Sequence, residues 1–300
     1  MYDRLSDCLS SLKLKFLPFY PLHNISSIRI GPNAAICVFP SSAEEFVATL
    51  NLLYRVSVKF CVVGALTNTL FLGDVYDGVV VCTKDMRAAR LSGDRLFAEC
   101  GISLSAAILY AARRGYGGAE QLSLIPGTVG AAIRGNAGAH GMEISDILIG
   151  AWVYNVRDGS VRYLPKEDLC LVYRGSLIKS SAELYVLGAE LLLSPTAIVE
   201  AFSRRKEFAA MRSLSQPIDK PSLGSVFKRA GGRSAGYYIE RVGLKGYGCG
   251  GARISEKHAG FIVNHGGATA DDVLDLISIA EARVFDRFGI TLEREIVVLK

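Results

Sequence analysis

The sequence predicts an α+β fold, and three stretches carry that reading. Residues 34–63 read as strand, helix, strand. Ala34 to Phe39 and Val58 to Val63 are short apolar runs, and Ser42-Ala-Glu-Glu45 is a capping box opening a helix with Phe46, Leu50 and Leu53 on one face. From Leu148 to Leu193 the chain alternates like a sheet, with Asp158-Gly159 as a hairpin turn. Near the C-terminus, Val273, Leu276, Ile277, Ala280 and Val284 keep a 3.6-residue period behind a Thr269 cap, and Gly289 ends that helix.

The remaining elements follow from the same signals. The N-terminal MYDRLSDCLSSLKLKFLPF reads as a short amphipathic helix, with Asp and Lys among its apolar positions and no signal-peptide core. Val79 to Cys82 and Leu96 to Cys100 are strand candidates, and Ser103 caps a helix through Arg114 that Gly115 stops. Pro195 marks a boundary. The helix after it carries Arg204, Arg205 and Lys206, expected as a solvated connecting face. A second region begins around Pro217, with a short helix to Val242, strands at Ala252 and Phe261, and a final strand from Glu295 to Leu299.

Composition narrows the class. Half of the 300 residues are hydrophobic and 21% are charged, enough for a sizeable globular core in two or three domains. The net charge of +5 suits a protein handling acidic small molecules. Lys and Arg are scattered, so no nucleic-acid role is expected. No run reaches the ~18 apolar residues of a membrane span, so no membrane insertion is expected either. The seven Cys show no C-x-x-C pairing, and most sit inside apolar runs, the pattern of buried thiols in a reducing cytoplasm. The four His, at 23, 140, 258 and 265, lack ligand spacing, and no metal is expected.

Leu124 to Gly141, LIPGTVGAAIRGNAGAHG, is the stretch most suggestive of a ligand. Five of its eighteen residues are Gly and four are Ala. Such a backbone can approach a large flat or phosphorylated ligand closely, and its N–H groups can form anion-binding concavities. A pair of tight turns in a small-residue core fits the spacing equally well. Gly246-Tyr-Gly248-Cys-Gly-Gly251 matches G-x-G-x-x-G literally, but it follows a helix and precedes a strand, the reverse of the dinucleotide context. No Walker loop, G-x-S-x-G elbow or H-E-x-x-H occurs.

Five ordered motifs carry a resemblance. IPGTVGAAIRGNAGAHG, YRGS, PSLGSVFKR, GGARISEKHAGFIVN and LEREIVV follow one another as in the UDP-N-acetylenolpyruvoylglucosamine reductases of peptidoglycan synthesis, which the chain resembles over about residues 20 to 300. It looks like the shorter subtype, without an inserted tyrosine loop. The resemblance implies an FAD domain of the vanillyl-alcohol-oxidase (PCMH) type over 1–195, in subdomains of about 1–83 and 84–195. A C-terminal substrate domain over 196–300 would send its last strand, about 291–300, back to the FAD domain. It further implies a cytoplasmic enzyme, here expected as a monomer. NADPH reduces non-covalent FAD, and the flavin reduces the enolpyruvyl ether of UDP-N-acetylglucosamine to a lactyl ether. Another FAD oxidoreductase of the same fold, or a silent nucleotide-sugar-binding protein, is the alternative.

Site residues are carried over motif by motif. Arg174 and Glu295 match the residues that stabilise the enol, and Ser225 matches the proton donor. Gly64, Thr67, Asn68, Pro126, Gly127, Thr128, Gly130, Ala131, Asn136, Gly138, Ala139 and Gly141 would line FAD. Tyr173, Lys228, Arg229 and His258 would face the substrate. Three departures stand out. Leu66 replaces a glycine of the pyrophosphate loop, Ala230 stands where proline is frequent, and Arg134 where the family is frequently uncharged. The loop 64–68 has no His, so no covalent flavin link is expected there.

Overall fold

Residues 2–300 are described by a computed structural model. The chain forms two units, each with its own core. The first comprises 1–19, 35–65 and 77–209, and the second 20–34, 66–76 and 210–300. These units divide the connecting segment at 209/210, and two segments from the N-terminal part belong to the second unit. The connecting helix Ile198–Ser215 begins after Pro195 and continues across the 209/210 division, because no breaker interrupts it before Pro217.

Two sheets build the first unit. In one, strand order is Phe16–Pro21, Asn33–Val38, Val75–Cys82, Phe60–Val63. Its last two strands pair in parallel, with Cys61 opposite Val80. The helix Ala43–Arg55, between Asn33–Val38 and Phe60–Val63 in sequence, buries Phe46, Leu50 and Leu53 as its period predicts. Its Ser42 hydroxyl accepts from Glu45 N–H, but the Glu45 carboxylate accepts from Ser41 N–H rather than Ser42, so the capping box is only half formed. The other sheet is antiparallel, in the order Val161–Pro165, Leu148–Asn155, Leu184–Leu192, Arg95–Glu99, Ala89–Ser92. Gly159 turns its first hairpin at φ 71°. Tyr154, fully buried in this sheet, donates its hydroxyl to Asn51 of the helix at 2.6 Å.

Not every cysteine is buried as expected. Cys37, Cys82 and Cys100 are, and burial pushes each of these thiols up, which leaves them inert. Cys8 and Cys170 are exposed, because each lies on a polar surface segment and not in an apolar run.

The second unit carries a sheet in the order Ser222–Ser225, Phe261–Asn264, Ala252–Ile254, Gly248–Cys249. The glycines of the literal G-x-G-x-x-G serve its last hairpin, with Cys249 opposite Ala252. Val297–Leu299 pairs in parallel with Thr69–Phe71, and both strands belong to this unit. The last strand thus returns to an N-terminal segment that clusters with the second unit.

The helix Ala270–Phe288 buries Val273, Leu276, Ile277, Ala280 and Val284, as the period predicts. Thr269 and Asp272 form a complete capping box, and Asp272 also accepts from Gly251 N–H at 3.0 Å. Thr269→Ala leaves a backbone donor without its cap, a loss of about 0.5–2 kcal/mol. A Tm lower by roughly 2–4 °C per kcal/mol is expected in a thermal melt, and an unchanged Tm would show that water replaces the cap fully.

Candidate active site

The glycine-rich stretch is tied to the first unit by its own backbone. Leu104 N–H donates to Gly127 O at 3.0 Å, Val129 N–H to Ile102 O at 2.9 Å and Gly130 N–H to Cys100 O at 2.8 Å. Thr128 caps the short helix Val129–Arg134. Close packing explains three of the small residues without any ligand. A Cβ on Gly130 would lie 2.9 Å from Cys100 Cβ, one on Gly138 2.8 Å from Met142 O, and one on Gly64 2.4 Å from Thr128 Oγ1. Gly64 and Thr128, from two separate candidate flavin loops, are therefore neighbours. Gly127 has another reason, a φ of 130° that side chains rarely adopt. Close packing and tight turns thus account for these glycines.

Asn136 is fully buried, with φ 41°. Its Nδ2 donates to Glu143 Oε2 at 2.7 Å and to Val172 O at 3.1 Å, and its Oδ1 accepts from Ser145 N–H. All the hydrogen-bonding capacity of the amide N–H₂ is spent inside the protein. The Asn136 side chain holds the YRGS turn against the glycine-rich stretch.

That turn presents Arg174. Val172 and Gly175 exchange backbone bonds at 3.1 and 3.0 Å, and Arg174 sits between them at φ 56°. A left-handed arginine costs about 1–2 kcal/mol. The surroundings sustain it: Lys179 Nζ donates to Arg174 O at 2.7 Å, and Ser176 Oγ donates to Arg134 O at 2.8 Å. The Tyr173 ring is partly exposed, with the Arg174 guanidinium 5.1 Å from its centroid.

Leu66 adopts a left-handed conformation that favours glycine. Its φ is 45° and its side chain is buried, while its carbonyl accepts from Ser27 N–H at 3.2 Å and Ser27 Oγ at 3.1 Å. Burial of a leucine, worth about 1.5–3 kcal/mol, offsets the left-handed strain. In the same unit Asn68 Nδ2 donates to Glu295 O at 3.1 Å, so this loop also orders the segment bearing Glu295.

Ser225 ends its strand at an irregularity. Ser222 lies opposite Val263 and Ser225 opposite Phe261, so four residues span what three span on the partner strand. Gly224, at φ 76°, absorbs the extra residue. Ser225 Oγ, half-buried, donates to Phe227 O at 3.1 Å. Glu295 N–H donates to Val226 O at 2.8 Å, which places the segments of Ser225 and Glu295 side by side. Glu295 precedes the last strand instead of lying within it. Lys228 forms an ion pair with Glu293, whereas Arg229 is exposed. Arg134 is also exposed, and Ala230 forms a bridge with Arg233.

His258 is half-buried, its ring edge-on to Phe261. Nδ1 accepts from Gly260 N–H at 3.0 Å, so the neutral ring carries its proton on Nε2. Burial pushes its pKa below the ordinary histidine range. A base depressed in the folded state adds stability that is present above the unfolded pKa and is lost as pH falls toward the folded one. Stability should therefore drop as pH falls below about 6.5, and His258→Gln should flatten that drop in denaturant titrations. An unchanged slope would remove His258 as the cause.

Two residues were missed in the sequence. Arg204, expected as solvated, lies 3.7 Å from Glu120 Oε1, and Glu120 is 3% exposed. Glu120 also accepts from Gly118 N–H at 3.0 Å. Lys179 is the other. No local pattern marks either, because their partners are distant in sequence or are backbone atoms.

Comparison with known proteins fits this geometry. An FAD binding domain matches residues 34–164, and the C-terminal domain of UDP-N-acetylenolpyruvoylglucosamine reductase matches 216–299. The UDP-N-acetylenolpyruvoylglucosamine reductase of Caldicellulosiruptor bescii is 38% identical over 290 residues, 96% of this chain and 92% of its own. That of Syntrophomonas wolfei is 35% identical over 300 residues, covering 100% and 99%. The chain belongs to the UDP-N-acetylenolpyruvoylglucosamine reductase family. The crystal structure of the Thermus caldophilus reductase superposes with a TM-score of 0.80 at 30% identity, over 96% of this chain and 99% of that one. The α+β fold, the FAD-dependent reductase class and the use of FAD with NADPH follow from membership of this reductase family. Among the described residues, no helix is long and apolar enough to cross a membrane.

Proposed function

We propose that this chain, a reductase of peptidoglycan precursor synthesis, works through Arg174, Ser225 and Glu295 on the enolpyruvyl ether of UDP-N-acetylglucosamine. The observation that carries the reading is the bulge at Gly224, which sets Ser225 beside the Glu295 segment within one unit. Bulges re-aim side chains next to active sites. FAD would be held without a covalent link by Gly64, Thr67 and Asn68 and by the backbone of Pro126–Gly141. Left-handed residues at Leu66, Gly127, Asn136, His140 and Gly141 suit a backbone that curls around an anionic ligand.

Bound FAD supplies the hydride, taken from NADPH, that the protein's own side chains cannot. The rest falls to those side chains. Addition of hydride to the enolpyruvyl double bond leaves an enolate conjugated with the carboxylate. The Arg174 guanidinium would balance that charge, and Glu295 would hydrogen-bond the enol form. Ser225 Oγ–H would deliver the proton to the enolate carbon. Arg229, exposed on the surface next to Lys228 in the chain, would meet the diphosphate, where a planar guanidinium can bind two oxygens. Tyr173 and His258 would complete the substrate contacts. A cytoplasmic monomer is the state proposed for the enzyme.

Purified protein should be yellow and release all its FAD on heat denaturation. NADPH consumption should require UDP-N-acetylglucosamine enolpyruvate. Flavin that stays with the denatured chain would refute the non-covalent link. NADPH consumption driven by oxygen alone, with no response to that substrate, would refute the substrate assignment.

A further inference from the structure

We infer that Lys179 is a positioning residue for Arg174, acting through the Arg174 carbonyl and not on substrate. The inference rests on the reading that Arg174 meets the charge developed in the reaction. Arg174 is held in the left-handed region, at φ 56°, without the freedom of a glycine. Its side-chain direction depends on that conformation, because a flip to the right-handed or extended region rotates both the Cα–Cβ bond and the carbonyl.

The half-buried Lys179 ammonium donates to that carbonyl at 2.7 Å, a charge-assisted bond that survives only while the peptide plane keeps its orientation. Around it everything else is fixed from the backbone side. Asn136 holds Val172 O, Ser176 Oγ binds Arg134 O, and Ser176 Oγ also accepts from Lys179 N–H at 3.1 Å. Even the next residue is constrained, since a Cβ on Gly175 would lie 2.9 Å from Val172 Cγ2. The Lys179 bond is made to Arg174 itself, by a side chain of formal charge. Its loss lets the arginine leave the left-handed well while the turn around it stays closed.

The test compares Lys179→Ala, Lys179→Arg, Arg174→Ala and the double variant Arg174→Ala/Lys179→Ala in stopped-flow half-reactions of the FAD-loaded enzyme. Lys179→Ala should slow reoxidation by the enolpyruvyl substrate about 10- to 100-fold, the worth of one charge-assisted hydrogen bond. FAD content, the rate of reduction by NADPH and KM for the enolpyruvyl substrate should not change. Lys179→Arg, which keeps a cationic donor, should recover most of the rate. The double variant should be no slower than Arg174→Ala alone.

A slow Arg174→Ala beside a normal Lys179→Ala would overturn the inference and leave the role of Arg174 standing. A raised KM with an unchanged maximal rate would put Lys179 on the substrate directly and overturn it too. So would losses that multiply in the double variant. An Arg174→Ala enzyme with normal reoxidation would overturn the underlying reading and this inference with it. If Lys179→Ala fails to fold, Lys179→Gln submits the same comparison with a neutral donor.

Discussion

Replacing Ser225 by alanine should slow reoxidation of the reduced enzyme by the enolpyruvyl substrate about 10²–10⁴-fold, the usual worth of a positioned acid. The enzyme should still bind FAD and be reduced by NADPH at a near-normal rate. A serine hydroxyl is a very weak acid, but in the proposed mechanism its partner would be an enolate carbon, a strong base, so transfer would run downhill. Position then matters more than a tuned pKa. That is why the bulge at Gly224 and the hydrogen bond to Phe227 O bear on the chemistry. The Phe227 carbonyl orients Oγ–H in the resting protein and must release it for transfer. Ser225→Cys should recover part of the loss, since a thiol also gives a proton. Slowing of the NADPH step alone, or of neither step, would remove Ser225 from the mechanism.

Gly64→Ala should strip most of the flavin from the protein. The new Cβ would sit 2.4 Å from Thr128 Oγ1 and 2.9 Å from Thr128 Cγ2, far inside contact distance. Thr128 cannot yield easily, being 3% exposed and the cap of the helix behind it. The strain must therefore part the two loops proposed to line FAD. Thr128→Ala alone should cost about 1 kcal/mol for the lost cap and keep the cofactor. Combining the two removes the colliding atoms and should restore flavin occupancy, a coupling expected only of residues in contact. Visible absorbance of the purified variants reads the result. Failure of the double variant to regain colour would mean that the Gly64 backbone is needed for another reason. Substituting Gly127 is a poorer probe of the same site, since its φ of 130° penalises any side chain even without FAD.

Much of the fold was legible because local signals agreed with tertiary ones. The helix Ala270–Phe288 carried its period, its Thr269 cap and its Gly289 stop in sequence, and all three are observed. The division into units was not legible. Segments 20–34 and 66–76 lack any local mark of belonging with residues 210–300, since that depends on pairings such as Thr69 with Val297. At the candidate site, only the resemblance of the ordered motifs pointed to Arg174 and Ser225. The devices that aim them, a left-handed arginine and a bulge, are backbone conformations that residue identity only hints at. Leu66 is the sharpest instance, a leucine in a glycine conformation sustained by burial and by Ser27. Glu120 went unnoticed and Arg204 was expected as solvated, because ion pairs over such sequence distances leave no periodic trace.

The account's central claim is that this chain reduces an enolpyruvyl ether on a UDP sugar. Its most direct test is a single turnover without oxygen. Enzyme reduced by one equivalent of NADPH would be mixed with UDP-N-acetylglucosamine enolpyruvate, and flavin absorbance at about 450 nm followed while products are separated. The account predicts rapid return of the oxidised-flavin band with one UDP-N-acetylmuramate formed per flavin. Flavin that stays reduced in the presence of this substrate, yet reoxidises when air is admitted, would contradict it.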